Sequence, residues 1–264
     1  MVDEEILALC ARADDLCEAA DRGSVGISNF LSPREQHFFI KHLSRRGMQD
    51  RCFFYGGYEL AERKRAFVLP EYLCGSVQSY DEILCFIDRK PIVVISICGS
   101  GYRRLTHRDF LGSVLGLGVE RSSVGDITVD DPEPQSAFVF CDGVIGGFIA
   151  NELKKVGNDS VRVKIVELPV GYQPQRNFSH ISDTVASARL DCVVASLCSL
   201  SRDKALKAVI SGSVEVNFER EERPDKLLSA PCILSVREYG RFRVNSVCDL
   251  TKKGRLRLDA DKYI

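Results

Sequence analysis

The residues best suited to chemistry in this sequence are arginines and lysines at helical spacing between positions 187 and 217. Apolar residues recur there at i, i+3, i+4 and i+7, which predicts two short helices followed by a half-buried strand. On the second helix, lysines fall on the face opposite the apolar stripe. A guanidinium or ammonium group placed in this way can bind phosphate oxygens. The candidate phosphate ligands of the helix pair are Arg189, Arg202, Lys204 and Lys207.

A second basic set lies near the end of the chain, in two stretches where arginine alternates with an apolar residue. A period of two puts the arginines of each stretch on one strand face and the apolar residues on the other. If the strands pair, four guanidinium groups line one sheet face, which suits phosphates; an ordinary solvated face is the alternative. Residues 237–257 hold seven bases and two acids, which favours phosphate binding. This set comprises Arg241, Arg243, Lys252, Lys253, Arg255 and Arg257.

A third basic cluster follows Gly99 and Gly101, between a predicted strand and a helix that Thr106 caps. A dinucleotide-binding fingerprint would need a further glycine at position 104, which is arginine here. The loop could still hold a phosphate through its backbone N–H groups, or it is a simple turn between strand and helix. We predict an RNA or protein contact at this loop. Its basic residues are Arg103, Arg104 and Arg108.

Composition and charge narrow the class of protein. With 45% hydrophobic and 28% charged residues, the chain is predicted to fold into packed domains. No apolar run approaches the length of a membrane helix, and the acidic N-terminus does not resemble a signal peptide. The eleven cysteines lack CxxC pairs and metal-ligand spacing, so we predict free thiols, no metal, no cofactor and a cytoplasmic location. Because the net charge is −1, local basic patches must provide any anion-binding surface.

Periodicity and capping signals predict an α+β protein. Residues 1–80 are expected to form a helix-rich N-terminal region. Residues 81–170 follow the order βαββαβ of a ferredoxin-like, RNA-recognition-like domain. Residues 171–180 are predicted to be a linker, and residues 181–264 contain the helix pair and a small β-sheet.

Two local patterns within these regions have alternative interpretations. Residues 59–66 are predicted to be helical, and the basic run at 63–65 is either a phosphate contact or a solvated helix end. Phe138 and Phe140 share one face of the third strand of the middle domain, where RNA-recognition domains place stacking aromatics. Core packing is favoured over base stacking there, because the basic, glycine-rich motif of such domains does not accompany the strand.

The helix pair and the strand after it resemble the S-four RNA-binding domain, named after small-subunit ribosomal protein four. The matching positions are Arg189-Leu190-Asp191, Ser201-Arg202, Lys204-Ala205, Ile210, Gly212 and Val214-x-Val216-Asn217. The resemblance implies a module of two helices and several strands that binds structured RNA. Phe218 departs from the pattern, because many such domains have a glycine there for a tight turn.

Nearly the whole chain is similar to the bacterial YlmH family. The stretches that carry the resemblance are FLSPREQHFF, FYGGYELAERKRA, LTHRDFLGSVLGLGVERSSVGDI, and GRFRV followed by TKKGRLRL. The resemblance implies a C-terminal S-four domain that binds ribosomal RNA of the large subunit, with tRNA as a further partner, when translation has stalled. It makes Arg189 the first candidate for an RNA contact. An ion pair with Asp191 or Asp203 is the alternative role for this arginine.

Catalysis is the main alternative function. Arg189-Leu190-Asp191 mimics the catalytic sequence of pseudouridine synthases, but the Thr-x-Gly that usually follows is absent from the sequence. The sequence also lacks the signatures of tyrosyl-tRNA synthetases and a glycine-rich methyltransferase loop. We therefore predict a monomeric, non-catalytic RNA-binding protein. An RNA-modifying enzyme and a ribosome-bound protein adaptor, acting through the acidic N-terminal helix, are the alternatives.

Overall fold

The protein forms two compact units, residues 1–175 and residues 176–264. Both units mix helices with strands, so the predicted α+β class is confirmed. The predicted boundary at residue 80 lies inside the first unit and stays a prediction. The structure is a computed structural model, and it describes residues 4–130, 136–169, 171–174, 178–251 and 254–263.

The first unit alternates helices and strands along the chain. Among its described residues, the strands make a three-stranded sheet, β1-β3-β2, a four-stranded sheet, β5-β6-β4-β9, and the short hairpin β7-β8. All neighbouring strands run antiparallel. The elements are α1 (Glu4–Asp21), β1 (Gly26–Leu31), α2 (Pro33–Arg45), β2 (Cys52–Tyr55), β3 (Lys64–Val68), α3 (Tyr80–Leu84), β4 (Val93–Cys98), α4 (His107–Leu115), β5 (Val124–Asp130), β6 (Ser136–Cys141), α5 (Gly143–Glu152), β7 (Lys155–Val156), β8 (Asp159–Ser160) and β9 (Arg162–Val166).

The helix predicted over 59–66 is wrong, because Lys64–Val68 form β3, the central strand of the three-stranded sheet. Tertiary burial overrides the local pattern, since Phe67 is fully buried between neighbouring elements. Arg65 is buried as well and donates to two backbone carbonyl oxygens and, at 2.7 Å, to Asp142 Oδ2. The basic run is therefore not a helix end, and its Arg65 is bound within the protein, while Arg63 and Lys64 are partly exposed.

The middle of the chain follows the predicted βαββαβ order, in the elements β4, α4, β5, β6, α5 and β9. Helices α4 and α5 cover one face of the four-stranded sheet. Phe110 and Val114 from α4 and Ile149 from α5 pack there against Ile95 and Val139 from the strands. Burying these large apolar side chains stabilises the sheet against the two helices.

The opposite face of the four-stranded sheet is covered by chain from the N-terminal region and by the segment after β9. The ring of Phe140 lies 4.9 Å from that of Tyr58, and Phe138 lies 5.3 Å from Tyr172. Gly57 has a φ of +104°, and a Cβ on it would come within 2.3 Å of the Phe140 ring. The core-packing interpretation is confirmed for Phe140, which is fully buried, and Phe138 packs partly buried in the same cluster.

Asp126 fixes the covering segment to the sheet. Its carboxylate accepts hydrogen bonds from the Tyr58 hydroxyl at 2.6 Å and from the backbone N–H groups of Glu62 and Arg63 at 2.7 and 2.9 Å. Hydrogen bonds to a charged acceptor are stronger than neutral ones. A single carboxylate therefore joins β5 to three donors of the segment that closes the aromatic face.

The second unit is built on a six-stranded antiparallel sheet in the order β10-β15-β14-β13-β11-β12. Helices α6 and α7 pack on one face, and the core between them is apolar. Its central residues are Leu190, Val193, Val194, Ala205, Val209, Phe242, Val244, Leu258 and Ala260. The elements are β10 (Phe178–Val185), α6 (Leu190–Leu197), α7 (Arg202–Ile210), β11 (Val214–Val216), β12 (Glu219–Arg220), β13 (Cys232–Val236), β14 (Gly240–Leu250) and β15 (Leu256–Tyr263).

The linker predicted over 171–180 is shorter than expected. The Tyr172 hydroxyl lies 2.6 Å from Thr128 Oγ1, which ties this residue to the four-stranded sheet. Phe178 already opens β10. Residues 175–177 of the predicted linker lie outside the described residues.

The cysteines are free thiols, eleven in all. In the part of the chain that the structure describes, histidine, cysteine and acidic side chains do not gather into a group that could hold a metal ion. No described helix combines the length and the apolar character needed to cross a membrane.

Candidate nucleic-acid interface

Three of the predicted cations lie at the N-terminal ends of α6 and α7, although the first two backbone N–H groups of α6 already donate to the carbonyl oxygens of Lys226 and Pro224 at 2.8 and 3.0 Å. Arg189 is the N-cap residue of α6, and Arg202 is the first residue of α7. Ser201 caps α7, its hydroxyl accepting from the backbone N–H of Lys204 at 3.4 Å. The N-terminal end of a helix carries a positive partial charge, so the cations and the backbone favour an anion at the same place.

Arg189 makes the ion pair that the sequence offered as the alternative to an RNA contact. Its Nε and Nη2 atoms donate to the two carboxylate oxygens of Asp191, both at 3.0 Å. Asp191 is only 1% exposed, and the bonds from Arg189 lower the pKa of this carboxyl group. The Arg189 side chain keeps 36% of its surface exposed. Its contact with RNA stays a prediction, and its ion pair with a buried carboxylate is the observed role.

A cleft of about 270 Å³ brings Arg202 together with Arg255, which the sequence assigned to the other basic set. Arg202 is 68% exposed, and its Nε lies 4.0 Å from Asp191 Oδ2. Arg255 donates to the carbonyl oxygen of Thr184 at the end of β10. Asp183 also lines the cleft and is bound by the Ser196 hydroxyl. The two arginines thus flank one opening beside the N-terminal end of α7.

Lys204 and Lys207 extend this region along the solvent face of α7. Both side chains are exposed, while Ala205 and Val209 of the same helix are buried against the sheet. The helical period of 3.6 residues places the two lysines opposite the buried face. We call this region the helix surface. It consists of Arg189, Arg202, Lys204, Lys207 and Arg255.

The remaining described arginines of the second basic set lie on the other side of the sheet. Phe242 and Val244 face the helices in the core, so the alternating Arg241 and Arg243 point to the opposite face. Arg257 alternates with the buried Leu258 and shares that face. The prediction that four guanidinium groups line one sheet face is therefore wrong for Arg255, which lines the cleft beside Arg202, and the predicted cations are divided between the two faces of the sheet. Lys252 and Lys253 lie outside the described residues.

Strand pairing also keeps the sheet arginines apart from each other. Antiparallel pairing of β14 with β15 sets Arg243 opposite Asp261 and Arg257 opposite Cys248, and Arg257 lies four positions before Asp261 on β15. Arg243 donates to Asp261 at 2.8 Å, so its charge is largely neutralised. Asp259 alternates with Asp261 on the same face. Both acids follow directly after residues 237–257, so the excess of basic residues in that stretch does not include them.

The sheet face carries aromatic rings around its arginines, and we call this region the sheet surface. The Arg241 guanidinium lies 5.5 Å from the ring centroid of Phe218 and 5.9 Å from that of Tyr263. Arg243 lies 5.2 Å from the ring centroid of Phe178, which meets Tyr263 edge to face at 5.2 Å. The sheet surface consists of Phe178, Phe218, Arg241, Arg243 and Tyr263.

The turn between β11 and β12 keeps its tight geometry although Phe218 replaces the glycine usual in S-four domains. Asn217 and Phe218 have φ values of +50° and +66°, and the flanking residues Val216 and Glu219 pair directly. Such a two-residue hairpin turn requires positive φ at both positions. A residue with a Cβ pays about 1–2 kcal/mol in steric strain for this conformation.

Comparison with known proteins decides the family. Residues 93–169 match a family model described as "Putative RNA-binding domain in YlmH". Over 236 residues the chain is 30% identical to the Bacillus subtilis (strain 168) protein named "Ribosome-associated protein quality control protein P2", covering 89% of this chain and 86% of that protein. The chain belongs to the YlmH family. The solved structure of cell division protein ylmH from Streptococcus pneumoniae is 19% identical, with a TM-score of 0.50 over 63% of this chain and 93% of that chain, and it supports the fold alone.

The loop after β4 lies within the segment that matches the YlmH model, and carboxylates already bind its backbone donors. The N–H of Ser100 donates to Asp159 Oδ2 at 3.1 Å. Thr106 and Asp109 form a capping box at the start of α4, with the Thr106 N–H bound to Asp109 Oδ2 at 2.8 Å. These two donors are therefore occupied by the protein itself.

The surroundings of the three arginines differ within the YlmH-family chain. Arg103 pairs with Asp109 at 2.9 Å and lies so close to Gly157 that a Cβ there would meet its guanidinium. Arg104 and Arg108 are exposed, and so is Tyr102 of the same loop, at 83%. The RNA or protein contact of this loop stays a prediction.

Sequence reasoning missed the aromatic members of the sheet surface. Phe178 and Tyr263 are far apart in the YlmH-family sequence and meet because β10 pairs with β15. In the sequence, Phe218 is distinguished only by occupying a position where many S-four domains have glycine. The signal that could have found them is the period-two pattern of the last strand, whose outward positions include Asp261 and Tyr263 as well as Arg257.

Acidification is expected to weaken the second unit through Asp261. Hydrogen bonds from Asn245 and Arg243, together with His180, lower the pKa of this carboxyl group to about 2, and its side chain is 12% exposed. The folded state therefore favours the ionised carboxylate. The resulting stability is present above the unfolded pKa near 4 and is lost as the pH falls towards 2, and it amounts to about 2 kcal/mol. Urea unfolding between these pH values measures it.

The variant that isolates this effect is Asp261→Asn. We expect it to be less stable than the parent at pH 6 and to lose less stability on acidification, because the titrating group is gone. Asp203→Asn, at an exposed position of α7, is the matched control. Equal acid dependence in the parent and in Asp261→Asn would show that the network does not bind the ionised form.

Proposed function

We propose that this protein binds structured ribosomal RNA of the large subunit and acts without catalysis. The observation that carries the proposal is the helix surface, where exposed cations gather around the N-terminal end of α7 in a chain of the YlmH family. Cations on rigid elements beside helix N-termini suit phosphates of a folded RNA backbone. The S-four resemblance of this segment supports the same assignment.

Handling of stalled translation follows as part of the proposal. The Bacillus subtilis relative carries ribosome-associated protein quality control in its name. A family member that binds the large subunit beside a retained peptidyl-tRNA would contact both RNAs through phosphates. We place the protein in the cytoplasm, where such subunits occur, and infer that it acts as a monomer.

The enzyme alternative depends on Asp191, and its surroundings argue for a structural role. A pseudouridine synthase needs an aspartate that reaches the base, whereas Asp191 is 1% exposed. Both of its oxygens accept from Arg189, and one also accepts from the backbone N–H of Cys192 at 3.0 Å. A carboxylate bound in this way compensates a neighbouring arginine and shapes the start of α6.

Sedimentation with purified ribosomal subunits tests the proposal. We expect the protein to sediment with large subunits and not with small subunits, and to bind more tightly when peptidyl-tRNA is present. Affinity should fall steeply between about 50 and about 200 mM salt, because phosphate contacts release bound counterions. Equal binding to both subunits, or binding that salt does not weaken, would contradict a specific phosphate-based contact.

The adaptor alternative predicts a different result in the same assay. If the acidic helix α1 recruits a protein partner, removal of residues 1–23 abolishes association while the helix surface remains intact. Association that survives this truncation and is lost on changing the helix surface supports RNA binding.

A further inference from the structure

The sheet surface differs from the helix surface in the chemistry it offers. Its arginines are held in place by protein groups: Arg243 is bound by Asp261, and Arg241 lies between Phe218 and Tyr263. A guanidinium whose charge is paired contributes little to phosphate binding. Together with the rings that it contacts, however, such a guanidinium extends a flat surface on which a base can stack.

The arrangement of the five side chains is that of a stacking platform. Guanidinium-to-ring distances of 5.2 to 5.9 Å connect Phe218, Arg241 and Tyr263 on one side and Arg243 with Phe178 on the other. The rings of Phe178 and Tyr263 join the two sides. Proteins recognise unpaired nucleotides by stacking their bases on aromatic rings and arginine planes that project from a sheet.

The backbone at Phe218 is an independent observation that points to the same use. Its φ of +66° is one that glycine adopts freely and that a side chain disfavours. Strained residues persist where the surroundings hold them, and they cluster at binding sites. The turn is held by Asn217, whose side chain accepts from the N–H of Ile233 at 2.8 Å. A phenylalanine therefore occupies a position where the turn geometry alone would favour glycine.

We propose that the sheet surface stacks the bases of an unpaired RNA segment, a second RNA site on the face of the sheet opposite the helices. This inference rests on the proposed RNA-binding function and adds a preference for single-stranded RNA. An RNA segment fits this surface better than a protein does. The aromatic rings of the sheet surface alternate with charged groups, and His180 and Asp259 lie on the same face of the sheet. The sheet surface is therefore not a continuous apolar patch of the kind that docks proteins.

Fluorescence anisotropy with two labelled RNA probes tests the proposal. One probe is a single-stranded eight-nucleotide uridine oligomer, and the other is a stable RNA hairpin. Phe218→Gly removes a ring and suits the positive φ, so the turn is retained, and Tyr263→Leu removes a second ring. Tyr239→Leu, at an exposed tyrosine of the turn before β14, is the matched control. Circular dichroism melting of each variant checks the fold.

We expect Phe218→Gly and Tyr263→Leu each to weaken binding of the uridine oligomer about tenfold, the usual size of one base–ring stack. Hairpin binding should change less than twofold, and the salt dependence of oligomer binding should stay unchanged, because no phosphate contact is lost. Tyr239→Leu should match the parent with both probes.

Two outcomes overturn the proposal. Oligomer affinity that is equal in the parent and both ring variants would exclude stacking on this surface. A parent that does not bind the oligomer at all would assign the platform to a protein partner. Binding of the hairpin reports on the helix surface. A parent protein that does not bind the hairpin would therefore contradict the proposed function, independently of the result with the oligomer.

Discussion

Replacing Arg202 and Lys204 together by glutamate is expected to lower affinity for the large ribosomal subunit by about 100-fold or more. Each residue offers a charge-assisted contact with a phosphate, and reversal adds repulsion to the loss. Loss of two phosphate contacts should also reduce the slope of log affinity against log salt by about two. Filter binding or sedimentation across a salt series measures both quantities.

This double variant separates binding from folding, because the same change favours α7. A glutamate at position 204 stands three residues after the N-cap Ser201, which is the arrangement of a capping box. Acidic residues in the first turn also interact favourably with the helix dipole. These gains oppose the loss of the 4.0 Å contact between Arg202 and Asp191, so we expect a melting temperature close to that of the parent together with the loss of affinity.

The matched control reverses two exposed arginines of the N-terminal region, Arg12→Glu in helix α1 and Arg22→Glu in the turn directly after it. It changes the net charge by the same amount and leaves the helix surface intact. If both double variants weaken binding equally, the effect is one of overall charge, and the helix surface is not the RNA contact.

The second large effect is expected on stability, from Asp126→Ala. The substitution leaves the Tyr58 hydroxyl and the N–H groups of Glu62 and Arg63 without the acceptor they share. At about 1–3 kcal/mol for each polar group left unsatisfied, the first unit should lose about 3–5 kcal/mol of unfolding free energy. Urea denaturation followed by circular dichroism measures the loss.

Hydrogen exchange locates this effect within the first unit. We expect faster exchange in residues 58–63, because Asp126 holds this segment over Phe140 and Phe138. Asp88→Ala, at an exposed aspartate, should leave both measurements unchanged. An Asp126→Ala protein as stable as the Asp88→Ala protein would show that packing of Tyr58 alone closes the aromatic face.

Local signals predicted those parts of the fold that depend on neighbouring residues. Ser32 with Glu35 and Thr106 with Asp109 form the capping boxes that open α2 and α4, because each needs only a four-residue spacing. The βαββαβ order and the apolar stripes of α6 and α7 were also predictable, because helices and strands repeat their apolar residues at different periods. Strand β3 could not be predicted in this way. Its buried Arg65 needs an acceptor, and that acceptor is Asp142, which lies far away in the sequence.

The candidate site was predictable in its residues and not in their grouping. The alternation of Arg241 and Arg243 with apolar residues correctly gave their shared face. The packing of the apolar core decides which face of the sheet the helices cover. As a result, these arginines lie on the face away from Arg202. The pairing of Arg243 with Asp261 depends on the register of β14 and β15, which no local pattern fixes.

Ultraviolet cross-linking of the full-length protein to large ribosomal subunits, followed by mass spectrometry of the nucleotide-linked peptides, tests the central claim most directly. The helix surface predicts nucleotide adducts on peptides spanning 187–211, joined to paired regions of the large-subunit RNA. Adducts confined to peptides of the first unit, with none on 187–211, would contradict it.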